Sequence, residues 1–326
     1  MAATTPPIDV IKDAVRLACR APSHYNAQPW QWVLARAVVH LFLDPSRVMT
    51  SDRSGREAVI GCGAALDHLR VAMAAAGWQA EVERFPDPGD PNHLASIRFS
   101  PARAVTAADR RRADAIATRR TDRLPFMAPT DWESVEPALR NAVDGDTVRL
   151  DVLPEEMRSC LADASRLADS LRRYDSAYHD ELAWWTTPFE ASEGIPYSTL
   201  VSAAESRRVD VARAFPVTHN PERRTEIAED NSTILLLSTR DDSRAAALAT
   251  GEALSGVLLE CTMAGLATCP VTHITELQVT REMVAECLGG EIMPQVFIRV
   301  GVAPATEVPP PATSRRPLDE VLRVQQ

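Results

Sequence analysis

Apolar residues near the N-terminus recur at the spacing of an α-helix. Ile8, Ile11, Val15 and Ala18 share one face, and a proline four positions further on ends the pattern. An amphipathic helix is therefore predicted at 8–20. Similar patterns predict further helices at about 56–76, 107–119, 131–142, 155–183, 199–214 and 244–264.

Other patterns predict strands and fix one helix start. Segment 31–43 is rich in β-branched and aromatic residues with a polar break at Arg36, which predicts a two-stranded hairpin. Thr106 and Asp109 have the spacing of a capping box, so the helix at 107–119 should begin there and run into an arginine-rich stretch. Short apolar runs predict strands at 147–153, 232–239 and 295–301. Together these elements predict an α+β protein with central mixed sheets flanked by helices.

The chain also resembles itself at a constant offset of 188 residues. The segments 63–78 and 251–266 agree at a glycine, an Ala-Leu pair and an Ala-Gly pair. The matching positions are Gly63, Ala65, Leu66, Ala76 and Gly77 with Gly251, Ala253, Leu254, Ala264 and Gly265. Two alanine-rich helices could agree this well through composition alone. A second pair of segments favours true duplication, since 8–35 and 132–153 share the order helix, then strand.

The duplication predicts two diverged halves. The first half is placed at 1–104 and the second at 105–326, and only the second carries a helical insertion, at about 155–215. The aromatic centre of this insertion, at 184–200, has two readings. It is either a lid over the active site or packing at the end of a helix.

The charge balance restricts the class of partner. The 326-residue chain is 45% hydrophobic, enough for a large core, and its formal net charge is −10. A nucleic-acid binder needs a broad basic surface, so nucleic-acid partners are not expected. The N-terminus lacks a secretory pattern and no segment approaches membrane-spanning length. These features predict a cytoplasmic protein with small-molecule partners and no membrane partner.

The cysteines give no sign of a metal or a disulfide framework. Six are scattered along the chain without a Cys-x-x-Cys pair or a zinc-like histidine spacing. We expect reduced, mostly buried thiols and no metal site. The stretch Asp-Pro-Gly-Asp-Pro-Asn at 87–92 has the oxygens of a cation loop, but its prolines and the lack of a distal glutamate indicate an ordinary turn.

Two short stretches carry the most specific patterns. "APSHYNAQPWQWV", at 21–33, contains Pro-Ser-x-x-Asn-x-Gln-Pro-Trp, and "RRTDRLPF", at 119–126, contains Arg-x-Thr-x-Arg-x-x-Phe after a predicted helix. Arginines at a helix end are common by themselves, because they favour the helix dipole. Both stretches together resemble the FMN-dependent nitroreductase family. Segments 252–276 and 299–322 are similar to that family's central helix with its flavin loop, and to its closing strand with an arginine-containing arm.

The resemblance implies FMN as cofactor and a set of ligands for it. Arg119, with Arg315 or Arg316, would meet the phosphate, because a guanidinium stays charged and binds phosphate through two donors. Thr121 would bond the phosphate or ribityl chain, and Arg123 would lie near N1 and O2 of the ring. The implied ligands are Pro22, Ser23, His24, Asn26, Gln28, Arg119, Arg120, Thr121, Arg123, Pro270, Thr272, His273, Arg315 and Arg316.

Some of these roles differ in kind. Ser23, Asn26 and the backbone around Pro22 would approach the ring edge, and the loop at 270–273 would offer a backbone N–H towards N5. His24 could face either the flavin or solvent. For His273 the backbone is expected to matter more than the imidazole.

The resemblance also implies an activity and a stoichiometry. The internal doubling and the closing Arg-Pro-Leu are most similar to the mycobacterial Acg group of the family. The expected enzyme passes electrons from NAD(P)H through FMN to a nitroaromatic or quinone-type acceptor, with no catalytic side chain assigned. The alternative is a flavin-binding or storage protein with little turnover, and a weaker third reading is an interaction module without flavin. Because each motif occurs once, we expect a monomer with a dimer-like fold and one FMN.

Overall fold

The chain is organised as two compact units. The computed structural model describes residues 5–186, 192–216, 218–305 and 312–325. Unit 1 comprises Met1–Arg119, Ser243–Leu259 and Ser314–Gln326, and unit 2 comprises Arg120–Asp242 and Glu260–Thr313. Each unit therefore combines segments that are distant in sequence, whereas the repeat predicts one cut near residue 104.

Most predicted helices are present in the described residues, with two departures. The helices are α1 Ile8–Ala18, α2 Arg56–Ala75, α3 Ala107–Thr118, α4 Trp132–Asn141, α5 Arg158–Arg172, α6 Ser176–Trp185, α7 Ala203–Arg207, α8 Arg244–Met263, α9 His273–Glu276, α10 Gln278–Cys287 and α11 Leu318–Val321. The predicted capping box is confirmed, since Thr106 and Asp109 exchange side-chain and backbone hydrogen bonds at the start of α3.

The two departures have local causes. The single helix predicted at 155–183 is divided, because the Asp175 side chain accepts a hydrogen bond from the Tyr178 N–H and starts α6. The helix predicted at 199–214 is wrong apart from the short α7. Glu205 of α7 is fully buried and accepts hydrogen bonds from Arg223, so polar side chains hold an irregular segment here instead of extending a helix.

The strands form one sheet in each unit. They are β1 Trp30–Ala35, β2 Val38–Leu43, β3 Trp78–Arg84, β4 His93–Pro101, β5 Arg149–Val152, β6 Thr233–Thr239, β7 Ala267–Val271, β8 Met293–Gly301 and β9 Leu322–Gln325. Unit 1 has the order β3-β4-β2-β1-β9, with only β1 and β9 parallel, and unit 2 has the antiparallel order β5-β6-β8-β7. The predicted α+β class is confirmed.

The predicted hairpin at 31–43 is confirmed in atomic detail. Strands β1 and β2 pair in antiparallel register, and the two residues between them, Arg36 and Ala37, both have positive φ, of 48° and 65°. Two positive φ values are the requirement of a two-residue turn that matches the twist of the strands. Trp30 and Trp32 of β1 are fully buried in the core of unit 1.

Two glycines bring helices α2 and α8 into backbone contact within unit 1. A Cβ atom on Gly63 would lie 2.1 Å from the Leu248 carbonyl oxygen, and one on Gly251 would lie 2.0 Å from the Ile60 carbonyl oxygen. No side chain fits at those distances, so glycine is required at both positions.

The same helices join corresponding positions of the internal repeat. The Ser255 hydroxyl donates to the Asp67 carboxylate over 2.6 Å, and these residues are 188 positions apart. The offset of 188 also relates Gly63 to Gly251 and the two carbonyl groups that they face. Positions of the repeat therefore contact their own counterparts.

Helix α2 is the one described helix that is long and apolar enough to cross a membrane. Its mean hydropathy over the most apolar window is 1.3, but 78% of that window is buried inside the protein. Core helices of globular units pass the same test of length and composition, so the hydropathy of α2 is weak support for a membrane span.

Unit 2 contains a disulfide that the sequence does not suggest. Cys160 of α5 is bonded to Cys287 of α10, with Cα atoms 7.0 Å apart and a sequence separation of 127. The expectation that all cysteines are reduced thiols is therefore wrong for this pair. Such a separation leaves no spacing motif to recognise. The free cysteines are Cys19, Cys62, Cys261 and Cys269, all buried as expected.

Candidate functional site

The Pro-Ser loop, residues 22–28, lies in unit 1 and has an unusual backbone. Tyr25, Asn26 and Gln28 have φ values of 48°, 58° and 54°, a left-handed conformation that non-glycine residues seldom adopt. Such strain persists only where the surroundings enforce it, and it is concentrated at functional sites. One enforcing contact is the Ser23 hydroxyl, which accepts a hydrogen bond from the Gln28 N–H over 3.0 Å.

Gln28 connects the Pro-Ser loop to the C-terminal arm, residues 312–325. Its side chain is fully buried, and Oε1 accepts a hydrogen bond from the Arg316 N–H over 2.9 Å. Nε2 donates to the Asn26 carbonyl at 3.3 Å, and Asn26 in turn donates to the Ser314 carbonyl at 3.3 Å. The structure thus gives Gln28 a positioning role within the loop.

Two predicted phosphate ligands surround the C-terminal end of α1. Arg315 donates to the carbonyl oxygens of Cys19 and Arg20, at 2.9 and 3.1 Å, and Arg119 reaches the Arg20 carbonyl at 3.5 Å. Carbonyl groups at a helix end favour cations, which explains why several guanidinium groups can gather here. Arg316 has longer side-chain contacts, of 3.4–3.5 Å, to Gln28 and Glu320.

A buried histidine near these arginines has no signal in the sequence. His68 of α2 is completely buried, and burial, followed by the nearby Arg119 and Arg315, lowers its pKa well below the ordinary value. His68 is therefore neutral at neutral pH. A histidine inside an apolar helix looks like any core position, so the sequence gives no reason to single out His68.

The arginine segment, residues 120–127, lies in unit 2 and is fixed to the edge of its sheet. Thr121 forms a parallel bridge with Thr268 of β7, and the Asp122 N–H donates to the Thr268 carbonyl at 2.9 Å. At its other end, Met127 forms an antiparallel bridge with Val302. The segment is therefore held as an added strand at both ends.

Buried ion pairs hold the middle of the arginine segment. Asp230 accepts the Phe126 N–H at 2.8 Å and pairs with Arg299 at 2.6 Å, and Arg299 also donates to the Leu124 carbonyl at 2.9 Å. Burial alone would raise the pKa of Asp230, but Arg299 and the surrounding donors bring the net pKa below its usual value. Asp230 is therefore ionised, and its charge is balanced inside the unit.

A second pair reinforces the first. Arg224 pairs with Asp122 at 2.5 Å and donates to the Pro125 carbonyl at 3.0 Å. Both Arg224 and Arg299 lie over the Phe126 ring, with guanidinium carbons 5.7 and 4.8 Å from its centre. The sequence motif contains only Asp122, Pro125 and Phe126 of this network, and the partner arginines are more than 90 residues away.

Arg123 and its neighbours supply cationic and hydroxyl donors along the held segment. The Arg123 guanidinium lies 5.1 Å from the centre of the Phe215 ring, a cation–π distance that orients the charge. Arg120, Thr121 and Arg123 are all half-buried. A positive charge held in a partly desolvated position stabilises an anionic ligand more strongly than one on a mobile side chain.

The turn at 270–276 is organised by charge inside unit 2. Thr272 precedes α9, and its hydroxyl donates to Glu276 at 3.0 Å; Glu276 also pairs with Arg172 at 3.0 Å and with Arg213. Pro270 lies in β7 and pairs with Ile298 in β8.

His273 is turned into the core, not towards the surface. It is 3% exposed, and Nε2 lies 2.5 Å from the Ser165 hydroxyl. Burial, then Arg213, lowers the pKa of His273 to about 3. Its imidazole is thus neutral and engaged with Ser165 inside unit 2.

The remaining predicted ligands occupy the Pro-Ser loop. His24 is half-buried, with its ring centre 4.0 Å from that of Tyr25. Pro22 and Ser23 pack against α2, where a Cβ on Gly61 would lie 3.1 Å from the Ser23 Cβ. Among the described residues, no group of three or more His, Cys, Asp or Glu side chains is placed to hold a metal ion.

Comparisons with known proteins identify the family. No protein-family model matches the chain. The chain is 61% identical over 318 residues to the Mycobacterium tuberculosis protein named "Putative NAD(P)H nitroreductase acg", which covers 97% of this chain and 96% of that protein. It is 52% identical over 322 residues, 97% and 94% of the two chains, to an uncharacterized protein of the same organism.

A solved structure gives only a weak likeness. The FMN-dependent nitroreductase NfnB from Mycobacterium smegmatis in complex with NADPH is 16% identical and matches 67% of this chain and 100% of that chain, with a TM-score of 0.41.

Identity above 60% across nearly the whole of both chains settles the family membership. The chain belongs to the nitroreductase family, a family of oxidoreductases. Within the family it is an Acg-type protein.

Proposed function

We propose that this protein binds FMN and works as an NAD(P)H-dependent nitroreductase acting on nitroaromatic or quinone-type acceptors. The observation that carries the proposal is the joint presence of two restrained motifs: a strained loop at 22–28 and a basic segment at 120–127 held by buried ion pairs. Family membership and the name of the 61%-identical relative support the same activity.

The donors of these motifs match the chemistry of FMN. A phosphate needs guanidinium and hydroxyl donors, and the ring needs a fixed cation near N1 and O2. We assign the phosphate to Arg119, Thr121 and Arg316, because the side chain of Arg316 makes longer and weaker contacts than that of Arg315. Arg123 is the proposed cation for the ring.

When bound, FMN would supply the redox chemistry, taking a hydride from NAD(P)H at N5 and passing electrons to the acceptor. The chain's own residues hold and orient the flavin. Ser23 and Asn26 are the proposed contacts to the ring edge, and Gln28 keeps their backbone in shape. Because guanidinium groups stay protonated at any working pH, Arg123 keeps its charge throughout.

We propose that the chain is a monomer built from two diverged copies, with one FMN. Contacts between positions 188 residues apart, such as Asp67 with Ser255, support the duplication, because residues next to a two-fold axis meet their own counterparts. Light scattering combined with a flavin-to-protein ratio checks the proposal. A dimer, or a ratio near two, would contradict it.

The proposed lid remains a prediction. Residues 187–191 of the segment 184–200 lie outside the described residues, and Trp184, beside them, is 70% exposed. Equal proteolysis near Glu193 with and without FMN would count against a lid.

We also propose a cytoplasmic location. In that compartment the Cys160–Cys287 pair should be reduced to two thiols, because stable disulfides are rare in reducing compartments. Alkylation of thiols at lysis, followed by mass spectrometry of the two peptides, measures the state of the bond in the cell.

The activity is tested by anaerobic titration of the FMN-loaded protein. Bleaching of the flavin absorbance by NADPH at a useful rate is the expected result. Bleaching by dithionite alone would point to the alternative, a flavin-binding protein with little NAD(P)H-driven turnover. A colourless protein that cannot be reconstituted with FMN would overturn both.

A further inference from the structure

Three polar side chains converge on the half-exposed face of the unit 1 sheet, apart from the motifs discussed above. His40 Nδ1 lies 3.1 Å from His93 Nε2 and 2.9 Å from the Ser96 hydroxyl oxygen. The hydroxyl oxygen lies 3.2 Å from His93 Nε2. Two imidazole nitrogens and one oxygen therefore form a nearly equilateral triangle.

An irregularity in the sheet creates this triangle. Between β2 and β4, Leu41 pairs with Ala95 but Phe42 pairs with His93, so Leu94 is an extra residue in β4. In a regular ladder Leu94 would oppose Phe42. The bulge instead buries Leu94 completely and turns His93 onto the face that carries His40. Bulges that re-aim a side chain in this way are over-represented next to functional sites.

The histidines are in the state that a metal ligand requires. Burial, then each other's proximity and Arg98, lowers the pKa of His40, and burial also lowers the pKa of His93, although Asp90 and Asp87 act against it. Both rings are therefore neutral at neutral pH.

The His93 ring also makes a hydrogen bond with the Ala95 backbone, and its Nε2 faces the triangle. Ligating histidines commonly use their second ring nitrogen in this way. Glu83 pairs with Ser96 across β3 and β4 and adds negative charge near the site.

We propose that His40, His93 and Ser96 form a binding site for a divalent first-row transition-metal ion of the zinc, nickel or copper type. Two imidazoles select such ions over magnesium or calcium. Ligand atoms about 2.0–2.1 Å from a metal are about 2.8–3.0 Å apart at a right angle and about 3.3–3.4 Å apart at a tetrahedral angle. The observed edges, from 2.9 to 3.2 Å, lie within these limits. Water would complete the coordination shell. The spacing of 53 residues between the histidines gives no sequence signal, which explains why no metal site was expected.

Zinc binding to the full-length, chelator-treated protein tests this site. Calorimetric titration with zinc chloride should show one saturable ion per chain. His40→Asn and His93→Asn should each weaken binding by more than about 10-fold, the loss expected when only a supporting residue behind a ligand is changed. Copper electron paramagnetic resonance of the wild type should show two coupled nitrogens, reduced to one in either variant.

A matched control separates the site from general histidine binding. His179 is exposed on α6 and bonds only locally, to the Arg173 carbonyl at 3.2 Å, so His179→Asn should bind zinc like the wild type. Equal zinc binding by wild type, His40→Asn and His93→Asn would show adventitious binding and overturn the proposal, as would no saturable binding at all. Should His93→Asn fail to fold, His40→Asn and the copper spectrum still decide the matter.

Discussion

The Pro-Ser loop of unit 1 and the arginine segment of unit 2 are held in place by different forces. The loop depends on neutral hydrogen bonds, through Ser23 and Gln28, that enforce a strained backbone. The arginine segment depends on charged pairs buried in the unit, above all Asp230 with Arg299. Removing one neutral hydrogen bond should lower the free energy of unfolding only slightly. Removing either partner of a buried ion pair leaves the other charge buried without a counter-charge, which lowers the free energy of unfolding much more. The two motifs should therefore fail in different ways.

The largest effect is expected from Asp230→Ala. Removing this carboxylate leaves Arg299, which is 0% exposed, charged and uncompensated, and should lower the free energy of unfolding by about 3–5 kcal/mol. Urea denaturation measures the loss. The double variant Asp230→Ala/Arg299→Met should recover much of it, because an apolar side chain needs no counter-charge.

An exposed pair provides the control for this experiment. Arg149 pairs with Asp151 at the surface of unit 2, with 67% of the arginine side chain exposed. Arg149→Ala should therefore cost no more than about 1 kcal/mol. A loss of that small size for Asp230→Ala would show that the central pair is not buried in solution.

Acid should weaken unit 2 through His273. In the folded chain the pKa of His273 is about 3, well below the ordinary value for histidine. Below about pH 6.5 the unfolded chain therefore binds a proton at His273 that the folded chain does not bind. The free energy of unfolding should fall by about 1.4 kcal/mol per pH unit, or about 2 kcal/mol by pH 5. Denaturation at pH 7, 6 and 5 measures the slope.

The variant His273→Asn should have a shallower slope than the wild type. His68 of unit 1 also has a depressed pKa and contributes in both proteins, so only the difference between them is informative. The hydrogen bonds from the Gln28 N–H to Ser23 and from the Arg316 N–H to Gln28 involve no group that titrates between pH 5 and 7. An identical slope in wild type and variant would mean that His273 takes up its proton without cost.

The sequence predicts local contacts better than it predicts the pairs of distant residues that hold unit 2 together. Local signals suffice for a capping box at Thr106 and for the turn at Arg36, because their partners are within a few residues. Asp230 and Arg299 are 69 residues apart, and Cys160 and Cys287 are 127 apart. Only tertiary structure brings such pairs together, and neither partner has a local pattern to mark it.

Strand β4 was missed for a related reason. Its sequence, from His93 to Pro101, mixes apolar and polar residues without strict alternation, and the extra Leu94 breaks the two-residue period. The partner strands decide the register, and they are distant in the chain. The same bulge creates the His40–His93 contact. Because the bulge is not visible in the sequence, neither strand β4 nor the group formed by His40, His93 and Ser96 could be predicted.

A smaller effect is expected from Gln28→Ala in the Pro-Ser loop. The change leaves the half-buried Arg316 N–H without its 2.9 Å acceptor, at a cost of about 1 kcal/mol. It should also loosen the C-terminal arm, so that trypsin cleaves after Arg315 faster than in the wild type. Unchanged cleavage and unchanged stability would show that the arm is held without Gln28.

The smallest effect on stability, with a distinct effect on the loop, is expected from Gly61→Ala. The new Cβ would lie 3.1 Å from the Ser23 Cβ, so the Pro-Ser loop must shift by a few tenths of an ångström. Alanine favours helix α2 by about 1 kcal/mol, which offsets the crowding and leaves the free energy of unfolding nearly unchanged. FMN affinity should nevertheless fall, because the loop's position changes while the fold does not.

Gly145→Ala, where nothing lies within 4 Å of the added Cβ, is the matched control and should leave both quantities unaltered. If Gly61→Ala binds FMN as the wild type does, the loop either yields freely or makes no flavin contact, and its strained backbone needs another explanation.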